Sequence, residues 1–278
     1  THLDRLAISP AAMFPKGSGT ETFTPLQDDR VRYAGQPVAV VIADSLEAAS
    51  EGAHRLAVTY EDAEAVYGID DPRTGDGEEL PSATVVLGDP RQALAAAPVR
   101  IDAAFTTPRE HHAAMEPHAT VAEWQADGSL TVWEPSQWAE GARSAFAQWF
   151  DLPVDKVRIV SPYVGGGFGG KIGVHPHAAL AAAAARVLGR PVKLALTRPQ
   201  TFTGFGGRPA TKQTLSLGAD RDGRLQAMVY ECLNETSFDD SYVEQGGRYV
   251  RLIPPIPNVE TRHRLVRVKT GTPGWTRA

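Results

Sequence analysis

The chain is poor in cysteine, with Cys232 its one thiol among 278 residues. No disulfide can close within it, and no four-thiolate iron–sulfur cluster can be built from it alone. A bilayer-length apolar run is missing too: the longest, residues 178–185, falls far short of the roughly 20 residues a span requires. The first residues carry no charged-then-apolar signal pattern. No lysine–arginine block occurs, and the net charge of -5 is mild. Neither a membrane nor a nucleic acid is therefore expected as a partner. With 42% hydrophobic and 22% charged residues, the chain reads as an ordinary globular protein, long enough for about two domains.

What the chain has in excess is glycine at one place. Val164-Gly165-Gly166-Gly167-Phe168-Gly169-Gly170-Lys171 sets five glycines around a single aromatic. Such density is tolerated best where positive φ or bare backbone against a ligand is required. The flanks are regular, since residues 156–160 alternate like a strand and residues 177–188 are nearly all helix formers. Strand, glycine turn and helix amino terminus together make a cradle for an anion or cofactor. Two nucleotide motifs fit this loop and each fails once. Gly165, Gly170 and Lys171 match the phosphate-loop spacing, but Ile172 replaces the hydroxyl that would hold magnesium. Gly165, Gly167 and Gly170 match the dinucleotide fingerprint, but Gly189-Arg190-Pro191 stands where an acid should meet the ribose.

Along the chain, Val31-Arg32-Tyr33-Ala34-Gly35-Gln36-Pro37 precedes an expected strand at 38–43. A helix at 46–55, capped by Asp44 or Ser45, and a strand at 56–60 follow. Residues 70–82 are rich in Asp, Gly, Pro and Glu, and a linker is expected over 76–98. Strands are expected at 99–105, 120–124, 130–133 and 192–196, helices at 138–150 and 177–188, and hairpins at Asp127-Gly128 and Asp220-Arg221-Asp222-Gly223. The fold class is α+β, with strands somewhat ahead of helices.

Several segments in order resemble one family. They are residues 31–66, Glu110-His111-His112-Ala113-Ala114-Met115-Glu116-Pro117-His118, Pro135-Ser136-Gln137, the loop 165–171, Gly207-Arg208-Pro209-Ala210, residues 217–223 and Ile256-Pro257-Asn258-Val259. The chain thereby resembles the large, molybdenum-binding subunit of the xanthine dehydrogenase and aldehyde oxidoreductase family. The resemblance implies a partial hammerhead domain over 1–75, the linker, and the first part of a molybdopterin-binding domain over 99–278. It implies that Gln137, whose amide is a donor, hydrogen-bonds a molybdenum oxo ligand. It also implies that Gly166, Gly167, Phe168, Gly169 and Gly170 bring backbone against metal and pterin, and that Arg277 helps close the pocket. The metal would be held by the pterin, in its cytosine dinucleotide form, with no direct protein ligand. Iron–sulfur (2Fe-2S) and FAD groups would sit on partner subunits or domains, the assembly could be a homodimer, and the compartment would be cytoplasmic, or periplasmic where a partner carries the signal.

The chain departs from the xanthine pattern at Ile172, where that pattern has a glutamate, and at Gln245, near where it has an arginine. An apolar Ile172 would leave a purine edge unpaired, so aldehydes are expected as substrates, oxidised to carboxylic acids with water as oxygen donor. The remaining carboxyl-terminal part of such a subunit would carry the catalytic glutamate, so this chain alone is expected to be inactive. Two other classes stay open: a nucleotide-binding protein built on the loop, and a non-catalytic assembly piece. Of the remaining candidates, His111, His112, His118 and Glu116 read as packed polar groups rather than a metal site. His175 and His177 read as capping or packing, Arg208 as either a cofactor contact or a loop tie, and Trp124, Trp133, Trp138 and Trp149 as core and interface.

Overall fold

The computed structural model describes residues 25–252 and 255–277. The sequence assignment of a first domain from residue 1 therefore falls partly outside the described residues. In chain order the elements are α1 (Leu46–His54), β1 (Glu78–Glu79), β2 (Val85–Leu87), α2 (Pro90–Ala96), β3 (Val99–Thr107), β4 (Ala119–Trp124) and β5 (Leu130–Trp133). Then come α3 (Ala139–Phe150), β6 (Val157–Val160), α4 (Pro176–Leu188), β7 (Val192–Ala195), α5 (Arg198–Thr203), β8 (Thr211–Ala219), β9 (Leu225–Thr236) and β10 (Asn258–Arg267). The class is α+β. Among the described residues no helix is long and apolar enough to cross a membrane.

Two compact units divide the chain. Of the described residues, unit one comprises 25–65, His111–Gly207 and 270–277, and unit two comprises Val66–Glu110 and those of Arg208–Lys269. The sheet of unit one runs β6-β5-β4-β7. β4 and β5 form the hairpin expected at Asp127-Gly128, and β5 pairs in parallel with β6 after the crossover through α3. The apolar stripe of α3, Ala142, Ala145, Phe146 and Trp149, repeats at helical spacing and is buried. α4 is buried over residues 176–185, and its alanines let the helix lie close to the sheet.

Unit two is a sheet in the order β10-β9-β8-β3, with β1 and β2 both paired to the outer edge of β10. The expected hairpin at Asp220–Gly223 joins β8 to β9, while β9 and β10 run parallel from Asn258↔Ala227 to Arg267↔Thr236. Residues 76–98, read from sequence as a linker, differ: β1, β2 and α2 lie there, with Asp89 capping α2 by accepting from the Gln92 amide. The two strands lie at the sheet edge and are exposed, Glu78-Glu79 in β1 and the apolar Val85-Val86-Leu87 in β2 alike.

The strands expected at 38–43 and 56–60 form no β-ladder among the described residues. A strand exists only where a neighbour takes its N–H and C=O groups, and here Val38, Ile42, Leu56, Val58 and Tyr60 remain exposed. Between the two runs α1 does form, and its cap is Ser45, whose hydroxyl accepts from the Ala48 amide. The Tyr-Ala-Gly-Gln turn ahead of them is anchored, because the buried Tyr33 donates its hydroxyl to Gly204 O at 2.9 Å.

Candidate functional site

The glycine loop leaves β6 and re-enters regular structure at α4. Gly170 N donates to Gly167 O at 2.8 Å and Ile172 N to Gly169 O at 3.2 Å, so the segment is two successive turns. Gly169 needs its freedom: its φ is +101°, and a Cβ there would stand 2.0 Å from Trp275 O. At Gly167 the reason is close approach, since a Cβ would meet Gln137 Oε1 at 2.3 Å. Phe168 holds a left-handed φ of 52° with its side chain exposed. Such a conformation in an aromatic residue stores strain and marks a constrained site. Its carbonyl accepts from Arg277 N at 2.8 Å, docking the end of the chain on the loop.

Gln137 reaches the loop from the segment after β5. Glu134 N donates to Val160 O and Ser136 N to Ser161 Oγ, so 134–137 run beside the end of β6. Gln137 N then donates to Lys171 O at 2.8 Å, and Gln137 Oε1 accepts from Gly169 N at 3.0 Å and Lys171 N at 3.2 Å. Two backbone donors require an oxygen there, which settles the amide orientation. The two N–H groups of Gln137 Nε2 have no hydrogen-bond partner among the described residues, and the side chain is exposed.

Beneath the loop lies a buried polar layer. Lys171, 1% exposed, donates Nζ to Val164 O at 2.5 Å and to Glu116 O at 3.0 Å, with the Glu116 carboxylate 3.7 Å away. Burial lowers its pKa. His118 and His175 both donate Nε2 to Gly170 O, at 2.9 and 2.8 Å. Phe205 stacks on His175 at 3.9 Å and meets His118 edge-on at 4.5 Å. Deeper still, Thr120 donates its hydroxyl to Glu134, whose other oxygen is 3.9 Å from His177 Nε2. Burial pushes Glu134 up to about 8 and His177 down to about 3, so both partners agree on a neutral pair at pH 7. Burial also lowers His118 to about 2 and His175 to about 4, reinforced at His118 by its neighbouring histidines.

Of the residues singled out from sequence, the structure gathers Gln137, Gly166, Gly167, Phe168, Gly169, Gly170 and Arg277, with half-buried Ile172 adjoining them in the chain. Gln245 belongs to unit two, where it lines a cavity of about 420 Å3 with Val85, Leu87, Ile256, Val259 and His263. The histidines of the 110–118 segment separate: His112 Nε2 bonds Trp275 O, His111 meets Phe202 edge-on, and His118 turns inward. No set of three metal-ligating side chains occurs among the described residues. Arg208 ties a loop, bridging backbone to backbone with Glu110 and pairing with its carboxylate at 3.1 Å. His175 is the N-cap residue of α4 but makes no side-chain cap; its ring goes to Gly170 O instead. Of the tryptophans expected in core and interface, Trp149 is fully buried, whereas Trp133 and Trp138 are 39% and 48% exposed. The packing expected of His118 and His175 is found, both rings being buried; sequence reasoning missed that they share Gly170 O, that Lys171 and Glu134 are buried with them, and that Trp275 O meets His112.

A glycine loop with constrained backbone, a carboxamide anchored through its oxygen and a buried polar layer beneath define a cofactor-cradling class of domain. Comparison with known proteins gives the family. The molybdopterin cofactor-binding domain model matches residues 77–278. The aldehyde oxidoreductase molybdenum-binding subunit PaoC of Escherichia coli O157:H7 is 38% identical over 229 residues, covering 81% of this chain and 31% of that protein. The xanthine dehydrogenase molybdenum-binding subunit of the same organism is 28% identical over 236 residues, covering 81% of this chain and 31% of that one. Among solved structures, the aldehyde oxidoreductase of Desulfovibrio gigas superposes with a TM-score of 0.77 at 26% identity, over 96% of this chain and 31% of that chain. The chain belongs to the molybdopterin cofactor-binding family of aldehyde oxidoreductase and xanthine dehydrogenase molybdenum-binding subunits. It spans about a third of the length of these relatives.

Proposed function

We propose that this chain carries the molybdopterin site of a hydroxylase that oxidises aldehydes to carboxylic acids. The observation that carries the reading is Gln137, whose Oε1 is committed to two loop amides while both Nε2 protons are free to donate outward. That is the donor set an oxygen-rich cofactor calls for, and the adjoining backbone of 166–170 carries no side chain bulkier than the outward-turned Phe168. The residues therefore fit the group. When bound, molybdopterin supplies two-electron oxidation with water as oxygen source, chemistry no side chain here can provide.

In this reading the backbone of Gly166, Gly167, Gly169 and Gly170 lies against the cofactor, Gln137 donates to one of its acceptor atoms, and Arg277 closes the edge. Ile172 turns the pocket apolar and disfavours a purine, whose polar edge would go unpaired. The cytosine dinucleotide form of the cofactor, and 2Fe-2S and FAD partners that carry electrons away, belong to the same proposal. So does a catalytic glutamate supplied by the part of the relatives this chain does not cover.

The test is steady-state kinetics on the full-length holoenzyme with an aromatic aldehyde and with a purine. Aldehyde turnover well above purine turnover is expected, and Gln137→Ala should lower kcat about 100-fold, as loss of one preorganised donor does elsewhere. Preference for the purine would favour the xanthine-type reading. An unchanged kcat in Gln137→Ala would remove that residue from the site.

A further inference from the structure

We infer that His118 and His175 are positioning residues that orient the Gln137 carboxamide through the Gly170–Lys171 peptide plane. The inference rests on the reading of Gln137 given above. A peptide group is planar, and its C=O and N–H point in opposite directions. Here the C=O of that plane is Gly170 O, held by both imidazoles at 2.9 and 2.8 Å. Its N–H is Lys171 N, which donates to Gln137 Oε1 at 3.2 Å. Fixing one side of the plane therefore aims the other.

The hydrogen-bond chemistry allows one arrangement. A carbonyl only accepts, so both rings carry their proton on Nε2. Nδ1 of each ring is buried without a partner, and protonating it would leave a donor unsatisfied. Both imidazoles are thus locked as neutral Nε2–H donors, and Phe205 keeps them from turning. Rotating the peptide by half a turn would break three hydrogen bonds and set Gly170 O against Gln137 Oε1. Each neutral bond is worth roughly two- to tenfold in population. Such a rotation turns ψ of Gly170, which glycine tolerates, and carries φ of Lys171, now negative, into the left-handed region; the two histidines add their hydrogen bonds to that barrier. The free Nε2 protons of Gln137 consequently keep facing outward.

The experiment replaces each histidine in the full-length holoenzyme by Gln, whose Nε2 can occupy the place of imidazole Nε2, and by Asn, whose shorter amide cannot reach Gly170 O. Two readouts are taken: hydrogen–deuterium exchange at the Lys171 and Gly169 amides, and kcat with KM. In His175→Asn and His118→Asn, Lys171 exchange should quicken about tenfold and kcat fall about tenfold with KM within about twofold. Both should return to within about threefold in the Gln variants. Equal losses in Asn and Gln variants, or unchanged Lys171 exchange in the Asn variants, would overturn the inference. Should Gln137→Ala leave kcat unchanged while the exchange contrast between Asn and Gln persists, the role of Gln137 fails and the positioning of the peptide stands. A drop in melting temperature shared by all four variants would mark the histidines as packing groups only and would count against it.

Discussion

Two sets of polar side chains, the layer beneath the glycine loop in unit one and the charged groups around β10 in unit two, are handled in opposite ways. In unit one Lys171, His118, His175, His177 and Glu134 are buried, and the groups that bond do so mainly to backbone carbonyls. In unit two charges meet as ion pairs along the sheet: Arg91 with Glu260 and Glu231, Arg262 with Glu260 and Glu79, and Arg267 with Glu78. The first arrangement fixes where backbone atoms point, because buried donors meet main-chain carbonyls where little solvent competes. The second leaves most partners exposed, where screening reduces each pair to a small contribution. A site that must present particular backbone atoms needs the first kind of chemistry.

The sharpest way to break this contrast is at glycine. Gly169→Ala puts a methyl 2.0 Å from Trp275 O at a φ of +101°. Neither backbone segment can retreat without losing the docking of Arg277 N on Phe168 O. A destabilisation of about 3 kcal/mol or more is expected, with loss of bound molybdenum. Gly223→Ala, in the β8–β9 turn of unit two, has a similar left-handed φ of 82° but nothing within 4 Å. It should cost only about 1 kcal/mol. Thermal unfolding of both variants, with metal analysis, checks the pair; equal effects would show that the loop is no more constrained than an ordinary turn.

A second contrast lies in pH. Burial raises Glu134 from 4.5 to about 8, so the folded chain holds this proton where the unfolded chain has released it. Its stabilisation is complete below about pH 4.5 and is lost as pH rises toward 8, by at most about 1.4 kcal/mol per pH unit. The three histidines run the other way: lowered from 6.5, they withdraw stability as pH falls below about 6.5. Stability should therefore be greatest near pH 6.5. Glu134→Gln keeps an acceptor for Thr120 and removes the titration, so the loss between pH 6.5 and 8 should flatten. In unit two burial alone would raise Glu260, but hydrogen bonds from Arg91 and Arg262 outweigh it and the net shift is downward. Its stabilisation is present above about pH 4.5 and fades below, so Glu260→Gln should alter only the acid limb. Melting temperatures from pH 4 to 9 decide this; an unaltered alkaline limb in Glu134→Gln would mean that the carboxyl ionises in the folded chain.

How much of this could be read from sequence follows the range of the forces involved. The hairpins at Asp127-Gly128 and Asp220–Gly223, the helix expected at 177–188 and the constrained loop were legible because turn and helix chemistry is local. The strand-like runs at 38–43 and 56–60 misled because alternation specifies a face and not a partner. The parallel pairing of β9 with β10, and the placing of β1 and β2 on the edge of β10, depend on contacts between residues far apart in the chain, which no local pattern encodes. At the site, the ordered motifs put Gln137 and the glycine loop in one set, and the structure brings the two into contact. The shared acceptor of His118 and His175 was not legible, because it is a main-chain oxygen and no residue type marks which carbonyl a ring will meet.

The smallest expected effect tests the other side of the contrast. Arg100 and Asp102 on β3 form a well-aligned pair, with Nε to Oδ2 at 2.8 Å and Nη2 to Oδ1 at 2.9 Å, and both side chains are about half exposed. The pair holds Asp102 below the usual carboxylate range through the Arg100 hydrogen bonds, helped by Ser216. In water that geometry trades solvent hydrogen bonds for protein ones and orders two side chains, so the gains nearly cancel. Arg100→Ala leaves Asp102 with its bond from Ser216 Oγ at 2.5 Å and with access to solvent. The melting temperature should stay within about 1 °C of the parent, at low and at high salt alike. A salt-dependent fall of several degrees would show that the ion pairs of unit two act as a coupled network, and the contrast between the units would then be one of charge state alone, not of strength.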